Sequence, residues 1–160
     1  MGEFTVGLEP CGAGQLGPFV TASVLLTDRS DNVLLVRSAD ADSWMIPSSV
    51  VAGDEAPHDC IERLVSQQLG LTAIAGRLLV ISWTPAVKGK NRAVVDFLFD
   101  GGAVHNDASL SAVVGALVSR FFSWEQAASE VSATLAKWLH SARNAREDGG
   151  ATYIPGVVKL

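Results

Sequence analysis

Apolar residues recur along this chain with two different periods, which predict one amphipathic helix among several strands. Between Pro57 and Gly70 the apolar residues follow the three- and four-residue spacing of a helix that turns one face to a core. That apolar stripe consists of Cys60, Ile61, Leu64, Val65 and Leu69. Runs rich in β-branched and apolar residues predict strands over residues 19–28, 32–38, 72–84, 92–101 and 117–123. A further short strand is predicted just before the loop that leads into the helix.

Residues that favour helix ends mark the limits of the predicted helices. Pro57 suits a first helical turn, where no N–H is needed, and Gly70 suits the left-handed position that ends a helix. Ser123 is a predicted N-cap for a following helix. Apolar residues between positions 132 and 146 predict a last long helix.

The length of the chain predicts one domain over residues 1–160, with residues 1–17 as a loosely structured lead. The strand from residue 32 is expected to pair back on the first strand as a hairpin, and a bulge is predicted at Gly76. The tail from residue 151 is expected to pack back onto the domain. The element order predicts an α/β fold with a mixed sheet.

The segment from Trp44 to Leu71 resembles a Nudix box, whose family pattern is G-x5-E-x7-R-E-U-x-E-E-x-G-U, with U a bulky apolar residue. Glu55 and Arg63 match the first glutamate and the arginine of that pattern. The apolar and glycine positions that follow are matched by Val65, Gly70 and Leu71. The resemblance covers most of the chain and implies the α/β/α sandwich of the Nudix family, with a mixed β-sheet, one box helix and a C-terminal helix.

The sequence departs from the family pattern where active members carry their metal ligands. Ser49 replaces the opening glycine, Leu64 replaces the glutamate after the arginine, and Gln67 and Gln68 replace the paired glutamates. The last three positions share one helix face because they are three and four residues apart. In active family members that face holds Mg²⁺ or Mn²⁺ against a diphosphate, and hard cations require charged oxygen ligands. We therefore expect no metal and no other cofactor at this face.

Four residues are candidates for catalysis. Gln67 and Gln68 occupy the family's site face, where they could hydrogen-bond a ligand or could simply be solvated. Glu55 is either catalytic or the partner of Arg63 in a structural ion pair. Asp96 lies in an apolar strand, where a buried carboxyl could carry a proton, although an alternating strand could also direct it to water.

Four further residues are candidates for substrate contact. Arg37 follows an apolar strand at a place where family members often meet a phosphate or a substrate, although a strand-end surface charge explains it equally well. Trp44 and Trp83 could stack on a flat ligand or fill the core or its rim. Leu64 is expected to make the cleft less acidic and more apolar.

Composition and charge narrow the class of partner. The chain is 48% hydrophobic and 18% charged, with a net charge of −5. No nucleic-acid partner is expected, because phosphate backbones are bound by clustered Lys and Arg. No apolar run reaches the length of a membrane span and the N-terminus lacks a signal pattern, so we expect a cytoplasmic protein without a membrane partner. The resemblance adds a homodimer as one option.

Three functions remain open on the sequence alone. The favoured hypothesis is a divergent Nudix-fold enzyme that performs metal-independent chemistry on a small, rather apolar metabolite, as in a specialised biosynthetic pathway. This choice rests on the altered metal face and on an apolar later loop region. That region contains Leu110, Val113, Val114, Leu117 and Val118. The alternatives are a residual Mg²⁺- or Mn²⁺-dependent hydrolase of nucleoside diphosphate derivatives, with a metal site rebuilt on Glu55 and Asp107, and a non-catalytic binding or regulatory module.

Overall fold

The computed structural model describes residues 17–87, 92–104 and 117–156, which form an α/β fold. Within these residues, seven strands make one mixed sheet and three helices cover it. The strands are β1 (Phe19–Thr27), β2 (Val33–Ser38), β3 (Ser48–Val50), β4 (Leu78–Thr84), β5 (Val94–Ala103), β6 (Leu117–Phe122) and β7 (Thr152–Ile154). The helices are α1 (Pro57–Leu69), α2 (Trp124–Glu130) and α3 (Ala133–Asp148).

The sheet has the strand order β6-β2-β1-β5-β4-β7, with β3 paired to β1 beside this path. The pairs β1–β5 and β4–β7 are parallel, and the other pairs are antiparallel. The predicted α/β fold with a mixed sheet is therefore confirmed.

Two hydrophobic cores lie on opposite faces of the sheet because successive side chains of a strand point to opposite sides. On one face, Ala22, Val24 and Leu26 of β1 pack with α1. On the other face, Leu25 of β1 packs with α2 and α3. This arrangement is the sandwich that the sequence predicts, with α1 on one side and the two later helices on the other. All five residues of the apolar stripe of α1 are buried in its core.

The helix ends follow the sequence signals. Pro57 is the first residue of α1. Gly70 follows the helix in a left-handed conformation with φ 64°, and the amide at this cap donates to the carbonyl oxygen of Val65. The Ser123 side chain accepts from the amide of Gln126, and this capping box starts α2. Ser132 caps α3 in the same way through the amide of Leu135.

The structure refines three strand predictions. The predicted pairing of β1 with β2 is confirmed, but it is short and is limited to Thr27 and Val33, because β3 pairs with β1 farther along the strand. The strand predicted from residue 72 begins at Leu78, and its register shift lies between Leu78 and Val80 rather than at Gly76. The tail does pack back, but as the strand β7 at the edge of the sheet.

Gly76 explains why the chain before β4 is irregular. Its amide donates to the carbonyl oxygen of Asp100 at 2.7 Å, so this segment runs against the backbone of β5. Around it, Leu71, Ala73 and Ala75 pack against the core beneath α1. None of the three described helices is long and apolar enough to cross a membrane.

Gly76→Ala should lower the free energy of unfolding by about 1–3 kcal/mol, the usual cost of forcing extra volume into a packed site. A Cβ at this position would lie 2.7 Å from the carbonyl oxygen of Asp100, which is backbone and cannot rotate away. Urea unfolding measures the effect. The matched control is Gly53→Ala, where nothing lies within 4 Å of the added Cβ, and it should change stability by less than about 0.5 kcal/mol. Equal effects of the two substitutions would contradict the close approach at Gly76.

Candidate functional site

The predicted catalytic residues lie on opposite faces of the sheet. Gln67 and Gln68 are on α1, which packs on the face that carries Ala22. Asp96 is paired with Thr21, the neighbour of Ala22 on β1, and therefore shares the opposite face. The structure thus separates Asp96 from the two glutamines, and a small molecule bound against one face does not contact both.

Both carboxylate oxygens of Glu55 are engaged. Arg63 Nε donates to Oε1 at 2.8 Å and Arg63 Nη2 donates to Oε2 at 3.0 Å. The amide of Ala52 donates to Oε2 at 3.1 Å. The hydrogen bonds from Arg63, with that from Ala52, lower the pKa of Glu55 to about 2. Because Arg63 also donates to the carbonyl oxygen of Val50 at 3.3 Å, the ion pair ties the loop before α1 to the helix itself.

The other α1 positions differ in exposure. Gln67 is exposed and Gln68 partly exposed, and neither makes a side-chain hydrogen bond within the residues described above. Leu64 is 0% exposed and belongs to the core beneath α1. Its observed contacts are therefore core contacts. Ligand contact by Leu64 and catalysis by the glutamines stay predictions.

The candidate metal ligands on α1 and in the loop before it do not fit a hard divalent cation, which prefers several charged oxygen ligands. They are two neutral amides and the carboxylate of Glu55, which Arg63 already holds. The carboxylate of Asp100 is also held by an arginine: it accepts from Arg146 Nη2 at 2.7 Å and from Arg146 Nε at 3.2 Å. In the described ranges, no group of three or more His, Cys, Asp and Glu side chains could hold a metal ion. Asp107 and the apolar residues at positions 110–114 lie outside the described residues.

A row of polar side chains crosses the other face of the sheet. Asp96 on β5 is paired with Thr21 on β1 and with Ser82 on β4, and these three residues are called the polar row below. The Ser82 hydroxyl is buried and donates to Asp96 Oδ2 at 3.4 Å. Burial raises the pKa of Asp96 above its ordinary value, and the hydrogen bond from Ser82 partly offsets that rise. Asp96 therefore keeps its proton to a higher pH than an exposed aspartate.

A cavity of about 460 Å³ opens beside the polar row and is called the inner cavity below. It is lined by the end of β4, one side of α3 and the end of β7, which contribute Ser82, Trp83, Pro85, Thr134, Trp138 and Ile154 among others. Its volume falls in the range of small-molecule sites. Trp83, a predicted substrate contact, is 38% exposed and lines this cavity.

Arg37 and Trp44 meet at the end of β2. The guanidinium carbon of Arg37 lies 5.2 Å from the centroid of the Trp44 ring, and Nη1 donates to the carbonyl oxygen of Ala41 at 2.8 Å. The Trp44 ring also packs edge-on against Phe122, with centroids 5.0 Å apart. These contacts fit the interpretation of Trp44 as a rim residue, and substrate contact by either residue stays a prediction.

The sequence reasoning missed Thr21, Ser82 and Trp138. Thr21 and Ser82 are polar residues inside otherwise apolar strands, the same signal that singled out Asp96. Trp138 lies among the apolar residues that predict the last helix, although an indole also carries an N–H donor. The signal for a site was therefore present in single residues, but only the pairing of β1, β5 and β4 brings them together.

The fold is similar to those of solved Nudix proteins. The MutT protein from Methanosarcina mazei superposes with a TM-score of 0.67 at 18% identity, over 83% of this chain and 99% of that chain. A UDP-X diphosphatase superposes with a TM-score of 0.69 at 16% identity, over 91% of this chain and 70% of that chain. The dihydroneopterin triphosphate pyrophosphohydrolase from E. coli gives 0.61 at 14% identity, over 81% and 100%.

No protein-family model matches the sequence, and no curated protein matches it either. The likeness therefore lies in the fold, and fold alone does not fix an activity.

Glu55→Gln should destabilise the protein at neutral pH but have little effect near pH 2. The pKa of Glu55 is about 2 in the folded chain against an ordinary value of 4.5, so its ionised form stabilises the native state above about pH 4.5. That contribution is lost as the pH falls toward 2. Urea unfolding of both proteins across this pH range measures the difference. A difference that does not change with pH would contradict the ion pair with Arg63.

Asp96→Asn should be more stable than the unsubstituted protein at neutral pH. Because the folded pKa is raised above 3.8, the stabilisation that comes from protonated Asp96 is complete below pH 3.8 and is lost as the pH rises through the folded pKa. The neutral amide avoids that loss. Thermal unfolding at pH 3 and pH 7 measures it, with the exposed Asp42→Asn as the control. If the stability of Asp96→Asn relative to the unsubstituted protein were the same at pH 3 and pH 7, burial would not raise the pKa of Asp96.

Proposed function

Because the chain has the Nudix fold, we propose that it is a divergent Nudix-fold enzyme that performs metal-independent acid–base chemistry on a small, rather apolar molecule. The reacting group is Asp96 and the substrate occupies the inner cavity. The observation that carries the proposal is the polar row, in which the half-buried Asp96 accepts a hydrogen bond from Ser82, and Ser82 in turn lines that cavity.

Asp96 has the properties of a group that moves protons. A general acid or base works best when its pKa approaches the working pH, and burial shifts the pKa of Asp96 in that direction. The Ser82 hydroxyl donates to Oδ2, which leaves Oδ1 without a side-chain hydrogen bond in the described part of the chain. Ser82 therefore positions the carboxyl, and Asp96 takes or gives the proton.

The composition of the cavity wall supports an apolar substrate. The described lining includes the rings of Trp83 and Trp138 and the side chains of Pro85 and Ile154. Such walls exclude water, which strengthens the interaction of a substrate with the few polar groups present.

The α1 face supports the metal-independent part of the proposal. Its neutral glutamines and the paired Glu55 give a divalent cation few charged oxygens, so activation of a diphosphate by this helix is disfavoured. The tight pairing of Glu55 with Arg63 instead suits a structural role.

The proposal predicts chelator-insensitive proton transfer from nitrobenzisoxazole, a small apolar probe that loses a ring proton to a base while its N–O bond breaks and a phenolate forms. The rate should rise with pH with a midpoint above the ordinary aspartate range, because ionised Asp96 is the base. Asp96→Asn should lower the rate by about 10²-fold or more, within the usual range for a general base. Absorbance of the phenolate product measures the reaction, and Asp42→Asn is the matched control.

Two outcomes would redirect the assignment. If Gln67→Ala or Gln68→Ala abolished the reaction while Asp96→Asn did not, the active face would be that of α1. If nucleoside diphosphate derivatives were hydrolysed with Mg²⁺ or Mn²⁺ at about 1 s⁻¹ or faster and EDTA stopped the reaction, the protein would be a metal-dependent hydrolase. Absence of turnover in both assays would favour a non-catalytic binding module.

A further inference from the structure

A second hollow adjoins the inner cavity on α3. This outer groove has a volume of about 470 Å³ and is lined by Ala136, Lys137, His140, Ser141 and Ile154. Lys137 and Ile154 line the inner cavity as well. The two hollows therefore adjoin at these two residues.

Trp138 presents an unused hydrogen-bond donor at the inner cavity. The residue is 6% exposed, and its Nε1 atom is buried without a hydrogen-bond partner in the described part of the chain. An indole N–H can only donate, and burying such a group without an acceptor is costly. The structure thus contains an unpartnered, buried donor on a residue that lines the inner cavity.

Lys137 adds a positive charge at the boundary between the two hollows. It is exposed and makes no ion pair with the described carboxylates. Among the described residues, no Asp or Glu lines either hollow. Like the indole N–H, the ammonium group of lysine can only donate. Lys137 and Trp138, which are neighbours on α3, can therefore both donate to a negatively charged acceptor oxygen.

We propose that the inner cavity and the outer groove together bind an elongated apolar monocarboxylate. Its carboxylate accepts from Trp138 Nε1 and from Lys137, and its apolar body lies along Ile154 and Ala136 in the outer groove. A doubly charged phosphate fits less well, because the described lining of the two hollows supplies one lysine, Lys137, and otherwise apolar or neutral groups, apart from His140 in the outer groove. The proposal rests on the proposed function in placing the substrate in the inner cavity, and it adds the class of molecule.

The test is calorimetric titration of the full chain with hexanoate, octanoate, decanoate and dodecanoate. Affinity should rise by up to about fourfold per added methylene as the apolar body fills the outer groove. Decanol, which has the same body without the charge, should bind the unsubstituted protein more weakly than decanoate.

Two substitutions identify the donors. Lys137→Met keeps the apolar stem and removes the charge, so it should weaken decanoate binding roughly tenfold and leave decanol binding unchanged. Trp138→Phe keeps a ring and removes the N–H, and should weaken decanoate by a few-fold to tenfold. Arg29→Met, an exposed cation in the turn after β1, is the matched control and should not change binding.

The inference is overturned if no carboxylate of the series binds, or if Lys137→Met binds decanoate as the unsubstituted protein does. The second criterion holds even if Trp138→Phe fails to fold, because Lys137 is exposed. Titration needs no turnover, so the two proposals fail separately. Carboxylate binding with no effect of Asp96→Asn on proton transfer would remove the proposed function alone. Asp96-dependent proton transfer without carboxylate binding would remove the further inference alone.

Discussion

The alternation of side chains along β1 is the constraint on which the rest of the structure depends. This strand is buried on both faces, and each step along it moves the side chain from the core of α1 to the core of α2 and α3. A shift of one residue would exchange the two cores, so the register of β1 with β5 is strongly determined. The same register decides that Thr21 and Asp96 stand side by side while Ala22 faces the opposite helix.

The two faces have consequently taken different roles. The α1 face is dominated by packing and by the Glu55–Arg63 pair, which holds a loop rather than a ligand. The opposite face carries the polar row, of which Ser82 lines the inner cavity. The chain thus combines a fold similar to that of solved Nudix proteins with neutral glutamines on α1 and a row of polar side chains on the other side of the sheet.

Much of the fold could be predicted from single residues and local periodicity. The limits of α1 followed from Pro57 and Gly70, and the start of α2 followed from Ser123, because caps are local and depend on a few neighbouring atoms. The start of β4 could not be predicted in this way. Residues 72–77 have a strand-like composition, but the close approach of Gly76 to Asp100 and the packing of Ala73 and Ala75 beneath α1 are contacts between distant segments.

The candidate site shows the same division between local and distant information. Asp96 could be singled out because a carboxyl is unusual among apolar strand residues, and Trp83 because it is a large aromatic. The position of Asp96 beside Ser82, and of Trp83 near Trp138, depends on strand pairing and on how α3 packs on β4. The hydrophobic periodicity of the sequence contains no information about either. The motif that points to the glutamines of α1 says nothing about which face of the sheet carries Asp96.

The edge strand β7 has a further consequence. It is three residues long, and its Ile154 pairs with Ser82 of β4, so that the two residues line the inner cavity side by side. A short edge strand opens at low free-energy cost, so its amide hydrogens should exchange faster than those of β1 and β5. A molecule bound between this part of the sheet and α3 would couple to that opening. Binding in the cavity would then slow the exchange of the β7 amide hydrogens, although β7 lies far along the chain from the polar row.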